Sequence, residues 1–216
     1  MEPWELQPAR DTGLTPSERF RSVRRESGLL ESFTHHACFS LLRSYFAIAH
    51  RLTIIGREKL PLHGPFVLVA NHCSHLDALA LGAALPPRHR ERAFPIAAGD
   101  VFFQSNVTST FSAIMLNALP MWRKNCGPHA LADLRRKLRE EKAIFIIFAV
   151  ELNCGLVGTF QALPPHRKLP RPLAITLVIG DALEFASTAN DRNGWSQIAA
   201  TAESSVRDLV AQSRTA

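Results

Sequence analysis

The fold prediction rests first on the stretch Gly64-Pro65-Phe66-Val67-Leu68-Val69-Ala70-Asn71-His72-Cys73-Ser74-His75-Leu76-Asp77. Residues 66–70 form a continuous apolar run with two β-branched members, which is typical of a central strand covered on both faces of its sheet. Residues 74–85 then have the apolar spacing of a helix, which two prolines stop. A buried strand that leads directly into a helix predicts one βα unit of a parallel sheet.

The same alternation continues on both sides of this unit. Apolar segments predict further strands at 52–56, 93–98, 120–123, 143–148 and 173–179, and amphipathic segments predict helices at 102–119, 131–138 and 195–212. Strands that alternate with helices predict an α/β fold with a mainly parallel or mixed sheet flanked by helices.

A helical arm is expected before the first strand. Residues 1–28 read as a polar tail with a basic run at 19–25, and residues 29–52 carry a broad apolar face at helical spacing. Two interpretations of this helix stay open: it packs on the core, or it lies in a membrane interface with the arginines near anionic head groups. We expect a single domain over 29–212 that begins with this amphipathic helix.

Composition narrows the classes of partner. The 216 residues carry a formal net charge of +6, which suits an anionic membrane, a phosphorylated substrate or nucleic acid. Nucleic acid is the weaker choice, because we find no run of aromatic residues interleaved with basic ones and no zinc-finger or clear helix-turn-helix spacing. The four cysteines form no Cys-x-x-Cys pair, so we expect reduced thiols and no metal site.

The sequence also bears on location. The first 32 residues lack the apolar core of a signal peptide, and no stretch reaches about 18 uninterrupted apolar residues. We therefore expect a protein that is not secreted and that is peripheral or monotopic on the cytoplasmic side of a membrane.

The candidate catalytic residues are His72 and Asp77. His72 follows an apolar strand, where open α/β sheets place their sites, and Asp77 lies near the start of the next helix. A neutral imidazole can take a proton from an alcohol that attacks an acyl carbonyl, while a carboxylate on the other ring nitrogen stabilises the imidazolium. Because Cys73 and Ser74 lie in no Gly-x-Ser-x-Gly elbow, a dyad that activates a substrate hydroxyl is the economical interpretation.

At these residues the chain resembles the glycerolipid acyltransferase family, which includes the 1-acylglycerol-3-phosphate (lysophosphatidic acid) acyltransferases. The stretch quoted above is similar to the family's first motif, and the resemblance extends from about Leu52 to about Ala186. The resemblance implies a glycerol-3-phosphate acyltransferase-like fold with His72 as the base and Asp77 as the group that orients it. It also implies that Asn71 and Ser74 contribute to substrate binding.

The later motifs supply two further candidates. The family's second motif is resembled by the stretch Asn117-Ala118-Leu119-Pro120-Met121-Trp122-Arg123-Lys124. By this likeness Arg123 would hold the acceptor's phosphate. The third motif, usually Phe-Pro-Glu-Gly-Thr-Arg-Ser, is degenerate here: Ala149-Val150-Glu151-Leu152-Asn153-Cys154 retains only a displaced Glu151, which we carry over as substrate-binding. The chain then runs straight to a segment that follows the family's fourth motif, which predicts an internal deletion.

The resemblance implies an O-acyltransferase of phospholipid biosynthesis. It would move a fatty acyl group from acyl-CoA or acyl carrier protein, as co-substrate, to the hydroxyl of a lysophospholipid such as 1-acylglycerol-3-phosphate, without a cofactor. Two alternatives stay open: a catalytically impaired relative that binds lipids or membranes, favoured by the degenerate third motif, and a hydrolase that uses His72 with another nucleophile.

Overall fold

The strands divide between two sheets in the computed structural model, which describes residues 8–122, 128–149 and 155–215. The strands are β1 (Thr53–Ile55), β2 (Phe66–Asn71), β3 (Ala93–Ala98), β4 (Leu119–Met121), β5 (Ile144–Ala149), β6 (Leu156–Val157) and β7 (Thr176–Val178). The helices are α1 (Pro16–Phe20), α2 (Leu29–Ala49), α3 (Leu76–Ala84), α4 (Pro87–Arg90), α5 (Gly99–Phe102), α6 (Asn106–Thr110), α7 (Pro128–Glu140), α8 (Thr159–Ala162) and α9 (Arg192–Thr215). A 3-10 turn lies at Arg57–Lys59 and a π-helical turn at Phe111–Met115.

The larger sheet has the strand order β2-β5-β3-β4, and its neighbouring strands are all parallel. The smaller sheet has the order β1-β7-β6, in which β1 and β7 are parallel and β6 is antiparallel to β7. The predicted α/β fold with a mainly parallel or mixed sheet flanked by helices is confirmed. The strands are, however, shared between two sheets rather than joined in one.

β2 lies at an edge of the larger sheet, and β5 lies inside it. Val67 and Val69 on one face of β2 are 42% and 37% exposed, and Ile147 of β5, which pairs with Val69, is 41% exposed, whereas Ile144 and Ile146 on the other face of β5 are buried. The expectation that β2 is a central strand covered on both faces is therefore wrong. An apolar run shows that a strand can be buried, but which neighbour hydrogen-bonds to it depends on residues far away in the chain.

α2 packs on α3 and exposes an apolar outer face. Phe39 of α2 lies against Gly82 of α3 so closely that an added Cβ at Gly82 would stand 2.4 Å from the Phe39 ring. On the other side of the helix, Leu30 and Phe33 are 79% and 72% exposed, and Ile48 is exposed as well. One face of this helix therefore packs on the core, as the first interpretation expects, and the opposite face is exposed. That α2 lies in a membrane interface stays a prediction.

The prediction of one continuous helix over 102–119 is wrong. It is broken into α5, α6 and the π-helical turn. Ser105 is the cause: its hydroxyl accepts the backbone N–H of Thr108, and the Thr108 side chain in turn accepts the Ser105 N–H. This capping box starts a new helix and ends the previous one.

The segment expected as a polar tail over 1–28 is, from residue 8 on, part of the folded unit. Arg10 bonds to Glu140 and Glu141 at the end of α7, at 3.0 and 2.5 Å. Arg24 bonds to Asp133 of α7 at 2.9 Å. Polar residues indicate a surface segment, but here the arginines of the segment are opposite in charge to the acidic residues of α7 that they contact, so the segment packs against that helix.

Candidate active site

His72 lies in a short loop at the carboxyl end of β2. β2 ends at Asn71 and α3 begins at Leu76, so the loop is only four residues long. Because the strands of the larger sheet are all parallel, their carboxyl ends share one edge, which is where open α/β sheets bind their ligands. The loop therefore carries its histidine to the edge at which a site is expected.

Asp77, in the first turn of α3, holds this loop in place. Its side chain is fully buried, and Oδ2 accepts the backbone N–H groups of Cys73 and Ser74 at 2.6 and 2.7 Å. Hydrogen bonds to a carboxylate are stronger than neutral ones, and the start of a helix favours negative charge. The buried carboxylate is thus stabilised by the same loop that presents His72.

The His72 ring stands beside this carboxylate. Nδ1 of His72 lies 3.4 Å from Oδ2 of Asp77, and the ring packs against Phe148 with 5.3 Å between the ring centres. Within the part of the chain that the structure describes, neither His72 Nδ1 nor Asp77 Oδ1 has a hydrogen-bond partner. The two groups are at ion-pair distance without a formed hydrogen bond, which is common for catalytic groups before substrate binds.

The accessible part of the imidazole faces away from Asp77. The His72 side chain is one-third exposed, while its Nδ1 is buried. The side of the ring that carries Nε2 is therefore the side that an incoming molecule can reach. A proton on Nδ1 facing Asp77 leaves Nε2 free to accept another, as a general base requires.

The neighbouring thiol and hydroxyl have other partners. Cys73 Sγ accepts a hydrogen bond from Asn71 Nδ2 at 2.9 Å, and burial, with a smaller effect of the Asp77 charge, raises the pKa of the thiol. The Ser74 hydroxyl donates to the Leu163 carbonyl at 2.9 Å. Among the described residues, no serine, threonine or cysteine is hydrogen-bonded to His72, so none of them is placed as its nucleophile.

Asn71 and Ser74, expected to bind substrate, make contacts inside the protein. Both are buried, and Asn71 Nδ2 also reaches the Leu156 carbonyl of β6 at 3.4 Å. With the bond from Ser74 to Leu163, these contacts tie the loop to β6 and to the end of α8. A role in substrate binding stays a prediction for both residues, and what the geometry shows is that they hold the loop.

Arg123 and Glu151, the other two expected substrate-binding residues, lie outside the described residues. The strands that precede them, β4 and β5, end at Met121 and Ala149. Both strands end at the same edge of the sheet as β2. The roles of Arg123 and Glu151 stay predictions.

Two features near His72 were not anticipated from the sequence. Phe148 pairs with Ala70 in the register of β5 and β2, and this pairing brings its ring against His72. The carbonyls of Leu156 and Leu163 carry no side-chain signal that could have marked them. The Phe148 contact could have been predicted by placing the two apolar strands side by side in parallel.

A comparison with models of protein families gives the family of the segment around His72. The acyltransferase family model matches residues 51–150. Residues 51–150 are an acyltransferase-family domain. The match spans β1 to the end of β5, so the domain includes His72, Asp77 and Arg123, and it confirms the resemblance to glycerolipid acyltransferases over this segment. The internal deletion stays a prediction.

Two further comparisons add no relative of this domain. Neither the curated proteins nor the solved structures contain a match to the chain. No metal site is indicated in residues 8–122, 128–149 and 155–215, where no three His, Cys, Asp or Glu side chains converge.

Proposed function

We propose that the acyltransferase domain transfers a fatty acyl group from acyl-CoA or acyl carrier protein to the hydroxyl of a lysophospholipid, for phospholipid biosynthesis. 1-Acylglycerol-3-phosphate is the first acceptor to test. The observation that carries the proposal is the half-open His72 ring, which stands beside the buried Asp77 at the carboxyl edge of the sheet.

The reaction follows from this geometry. His72 Nε2 takes the proton of the acceptor hydroxyl as its oxygen attacks the thioester carbonyl, and a tetrahedral intermediate forms. The carbon–sulfur bond then breaks, the ester remains on the acceptor, and the thiol leaves with the proton that His72 returns. Asp77 Oδ2, at 3.4 Å from Nδ1, stabilises the imidazolium between the two steps. No cofactor takes part in these steps.

The phosphate of the acceptor would be held by Arg123, with Glu151, Asn71 and Ser74 as further binding residues. A guanidinium suits a phosphate because it donates in a planar fork. The net charge of +6 supports an anionic substrate.

The outer face of α2 supports association with a membrane surface. Its exposed apolar side chains are spread over the whole helix, from Leu29 to Ile48. A helix of this kind lies in the plane of the interface, and a basic protein is attracted to anionic lipids. Among the residues that the structure describes, no helix is both long and apolar enough to cross a bilayer. We propose a peripheral or monotopic protein on the cytoplasmic side.

One observation favours a second candidate, a catalytically impaired protein that binds lipids or membranes. Among the described residues, β6 pairs with β7 instead of extending the larger sheet, so β2 has a strand neighbour on one side and none on the other, next to the candidate site. A substrate site with an incomplete wall orients its acceptor poorly, and lost orientation alone costs orders of magnitude in rate.

One assay separates these candidates. The full-length protein in detergent is given labelled acyl-CoA or acyl carrier protein with a panel of lysophospholipids, and His72→Ala is compared with His75→Ala. His75 is a suitable control because it is exposed on the same loop, with 6.4 Å between the two ring centres. We expect transfer that His72→Ala abolishes and His75→Ala retains.

Absence of His72-dependent transfer with every acceptor and both donors would overturn the acyltransferase proposal and leave the binding protein. Acyl release to water without an acceptor would instead indicate a hydrolase.

A further inference from the structure

A partly exposed apolar surface lies at the carboxyl edge of the larger sheet, on the β3–β4 side of His72. It consists of Phe102, the last residue of α5, and Trp122, which follows β4 directly. Because β2, β3 and β4 belong to one parallel sheet, both side chains come at the same edge as the loop of His72. These two side chains are called the Phe102–Trp122 surface below.

The indole of Trp122 rests on a glycine. An added Cβ at Gly99 would stand 2.7, 2.9 and 3.0 Å from three carbons in the middle of the indole, so the ring system lies against the backbone at the start of α5. Strand register explains this position, because Ala98 and Met121, the residues just before Gly99 and Trp122, are partners in β3 and β4. Trp122 is nevertheless 38% exposed, so an incoming molecule can reach it.

Phe102 connects this indole with the loop of His72. Residues three apart lie on one face of a helical turn, so Phe102 is on the side of α5 on which Gly99 carries the indole. The Phe102 ring lies 6.4 Å from the ring of His75, which is exposed and is itself 6.4 Å from the ring of His72. The surface therefore begins beside the loop of His72 and is reached from solvent.

The surface extends away from His72 along the edge of the sheet. The strand order β2-β5-β3-β4 puts three strand spacings, or roughly 14 Å, between the end of β2 and the end of β4. The glycerol phosphate part of an acceptor is too short for this span, whereas an extended fatty acyl chain covers it. The dimensions therefore favour a long, thin ligand that starts at His72.

The chemistry of the surface suits hydrocarbon. Neither Phe102 nor Trp122 carries a charge, and each methylene group that leaves water for apolar cover gains about fourfold in affinity. The nucleotide part of coenzyme A would bring phosphates, for which these two side chains offer no positive charge. The donor's chain is attached directly to the carbonyl that reacts at His72, whereas the acceptor's own chain is separated from its free hydroxyl by the glycerol backbone. A surface that begins beside the loop of His72 therefore suits the donor.

We propose that the Phe102–Trp122 surface binds the fatty acyl chain of the donor, and that Trp122 is a specificity-determining residue for the length of this chain. The inference rests on the proposed acyl transfer at His72 and adds the path of the transferred chain. A long chain reaches the indole of Trp122, whereas a short chain ends before it. Long-chain donors are therefore preferred.

Binding is measured first, because it requires no turnover. The full-length His72→Ala protein also carries Trp4→Phe and Trp195→Phe, which leaves Trp122 as its only tryptophan. It is titrated with coenzyme A thioesters whose chains carry bromine, a quencher of indole fluorescence, near the far end. We expect bromostearoyl-CoA to quench Trp122, and bromooctanoyl-CoA and coenzyme A to leave its fluorescence unchanged. No quenching by the long chain up to about 100 μM, or equal quenching by coenzyme A, would overturn the proposal.

The chain-length dependence of transfer tests the same contact in the active protein. Trp122→Ala should lower kcat/KM for palmitoyl-CoA about 15- to 60-fold, the effect of two or three methylene contacts, and change it less than about threefold for octanoyl-CoA. Trp195→Ala is the matched control, since it removes another exposed tryptophan, on α9, and should change neither value. An equal fall for both donors in Trp122→Ala would contradict a role in chain length.

A second variant tests the surface while keeping its indole. The methyl group of Gly99→Ala would displace Trp122 from its position on the backbone. The preference for palmitoyl-CoA over octanoyl-CoA should therefore fall in the same direction as in Trp122→Ala, but less far. Thermal melts check that each variant is folded. An unchanged preference in the folded Gly99→Ala protein would contradict the proposal.

Further outcomes separate the sources of the chain and separate this inference from the proposed function. If a brominated lysophosphatidate quenches Trp122 and bromostearoyl-CoA does not, the surface belongs to the acceptor's chain and the donor assignment is overturned. If the wild type transfers acyl groups but the long chain does not quench Trp122, only this inference fails. If the long chain quenches Trp122 but no acyl group is transferred, only the proposed reaction fails.

Discussion

The two ends of the larger sheet each bury a charged side chain, but they satisfy it in different ways. At the carboxyl end, Asp77 is held by two backbone N–H groups and leaves the His72 ring half open. At the amino end, Arg25 is held by Asn117, which is itself bonded to two carbonyls at the start of β3. The first arrangement keeps a titratable ring accessible, whereas the second joins the amino-terminal segment to the sheet.

This difference has a physical origin. A short loop between a strand and a helix offers free backbone N–H groups, so it can hold a carboxylate and still present a neighbouring side chain. At the start of β3 two free carbonyls accept from the Asn117 amide, and the Asn117 side-chain oxygen is left to accept from Arg25. We therefore expect changes at the carboxyl end to alter activity and changes at the amino end to alter stability.

The largest expected effect is on activity and comes from Asp77→Asn. The amide oxygen can still accept the N–H groups of Cys73 and Ser74, but no negative charge remains to stabilise the imidazolium of His72. We expect kcat/KM for acyl transfer to fall about 10²–10⁴-fold, with a melting temperature near that of the wild type. Full activity in Asp77→Asn would contradict the assigned role of Asp77.

The next effect tests the amino end through Asn117→Gly. Asn117 has a φ of +54°, which glycine adopts without strain, so the variant isolates the loss of three hydrogen bonds. Leaving the buried Arg25 without its acceptor should reduce the free energy of unfolding by about 2–4 kcal/mol, measured by urea denaturation. Asn117→Ala should cost about 1 kcal/mol more, because it adds left-handed strain.

Asn106→Gly serves as the control on an exposed helix start, where a small change is expected. If kcat/KM falls as far in the folded Asn117→Gly protein as in Asp77→Asn, the expectation that changes at the amino end alter stability rather than activity is wrong.

A third prediction concerns the apolar surface beside the amino end. Replacing Leu30 and Phe33 with serine removes two exposed apolar side chains without disturbing the buried face of α2. We expect binding to anionic vesicles to weaken about 10- to 100-fold, at the partial burial of two such side chains, measured by flotation. The free energy of unfolding should stay unchanged. Undiminished flotation would remove the interfacial role of α2.

A smaller effect sharpens the description of the carboxyl end. Ser74→Ala removes two hydrogen bonds of the loop at residues 72–75: the hydroxyl donates to the Leu163 carbonyl at the end of α8 and accepts the Leu76 N–H at 3.3 Å. One neutral hydrogen bond is worth about 1 kcal/mol, so we expect a loss of about 1–2 kcal/mol in urea denaturation and a modest fall in kcat. If kcat falls as far as in His72→Ala, Ser74 acts on the substrate directly.

The smallest effect is a pH dependence at the amino end. Burial lowers the pKa of His35 below its ordinary 6.5, so the unfolded chain takes up a proton before the folded one does. This contribution to stability is present above pH 6.5 and is lost as the pH falls from 6.5 toward the folded pKa. Thermal melts between neutral and mildly acidic pH should show a larger fall for the wild type than for His35→Gln. Equal falls would mean that His35 titrates normally.

Much of the local structure followed from the sequence. Most of the expected strands and helices are present within a few residues of their predicted limits, because apolar periodicity and proline or glycine boundaries act within short windows. The prediction of one helix over 102–119 was wrong because the capping box at Ser105 starts a new helix within the apolar pattern. Its Ser-x-x-Thr spacing was a local signal, although a weaker one than a Glu at the last position.

The candidate site was predictable in part. The spacing of His72 and Asp77 after an apolar strand placed the two side chains together, since a strand-to-helix turn leaves few other arrangements. The contacts of Asn71 with Leu156 and of Ser74 with Leu163 were not predictable, because their acceptors are backbone carbonyls that any residue offers. The cavity lined by Arg25 and Asn117 was not predictable from the sequence either, since its walls come from segments almost a hundred residues apart.

The sequence by itself determined the βα unit at residues 66–85, the pairing of His72 with Asp77 and the apolar face of α2, all of which depend on neighbours within one or two turns of chain. The tertiary structure alone decided that β2 is an edge strand, that the strands form two sheets and that Arg25 is buried against Asn117. These features depend on which distant segments meet, and strand pairing and buried polar contacts are selected by the packing of the whole chain rather than by local preference.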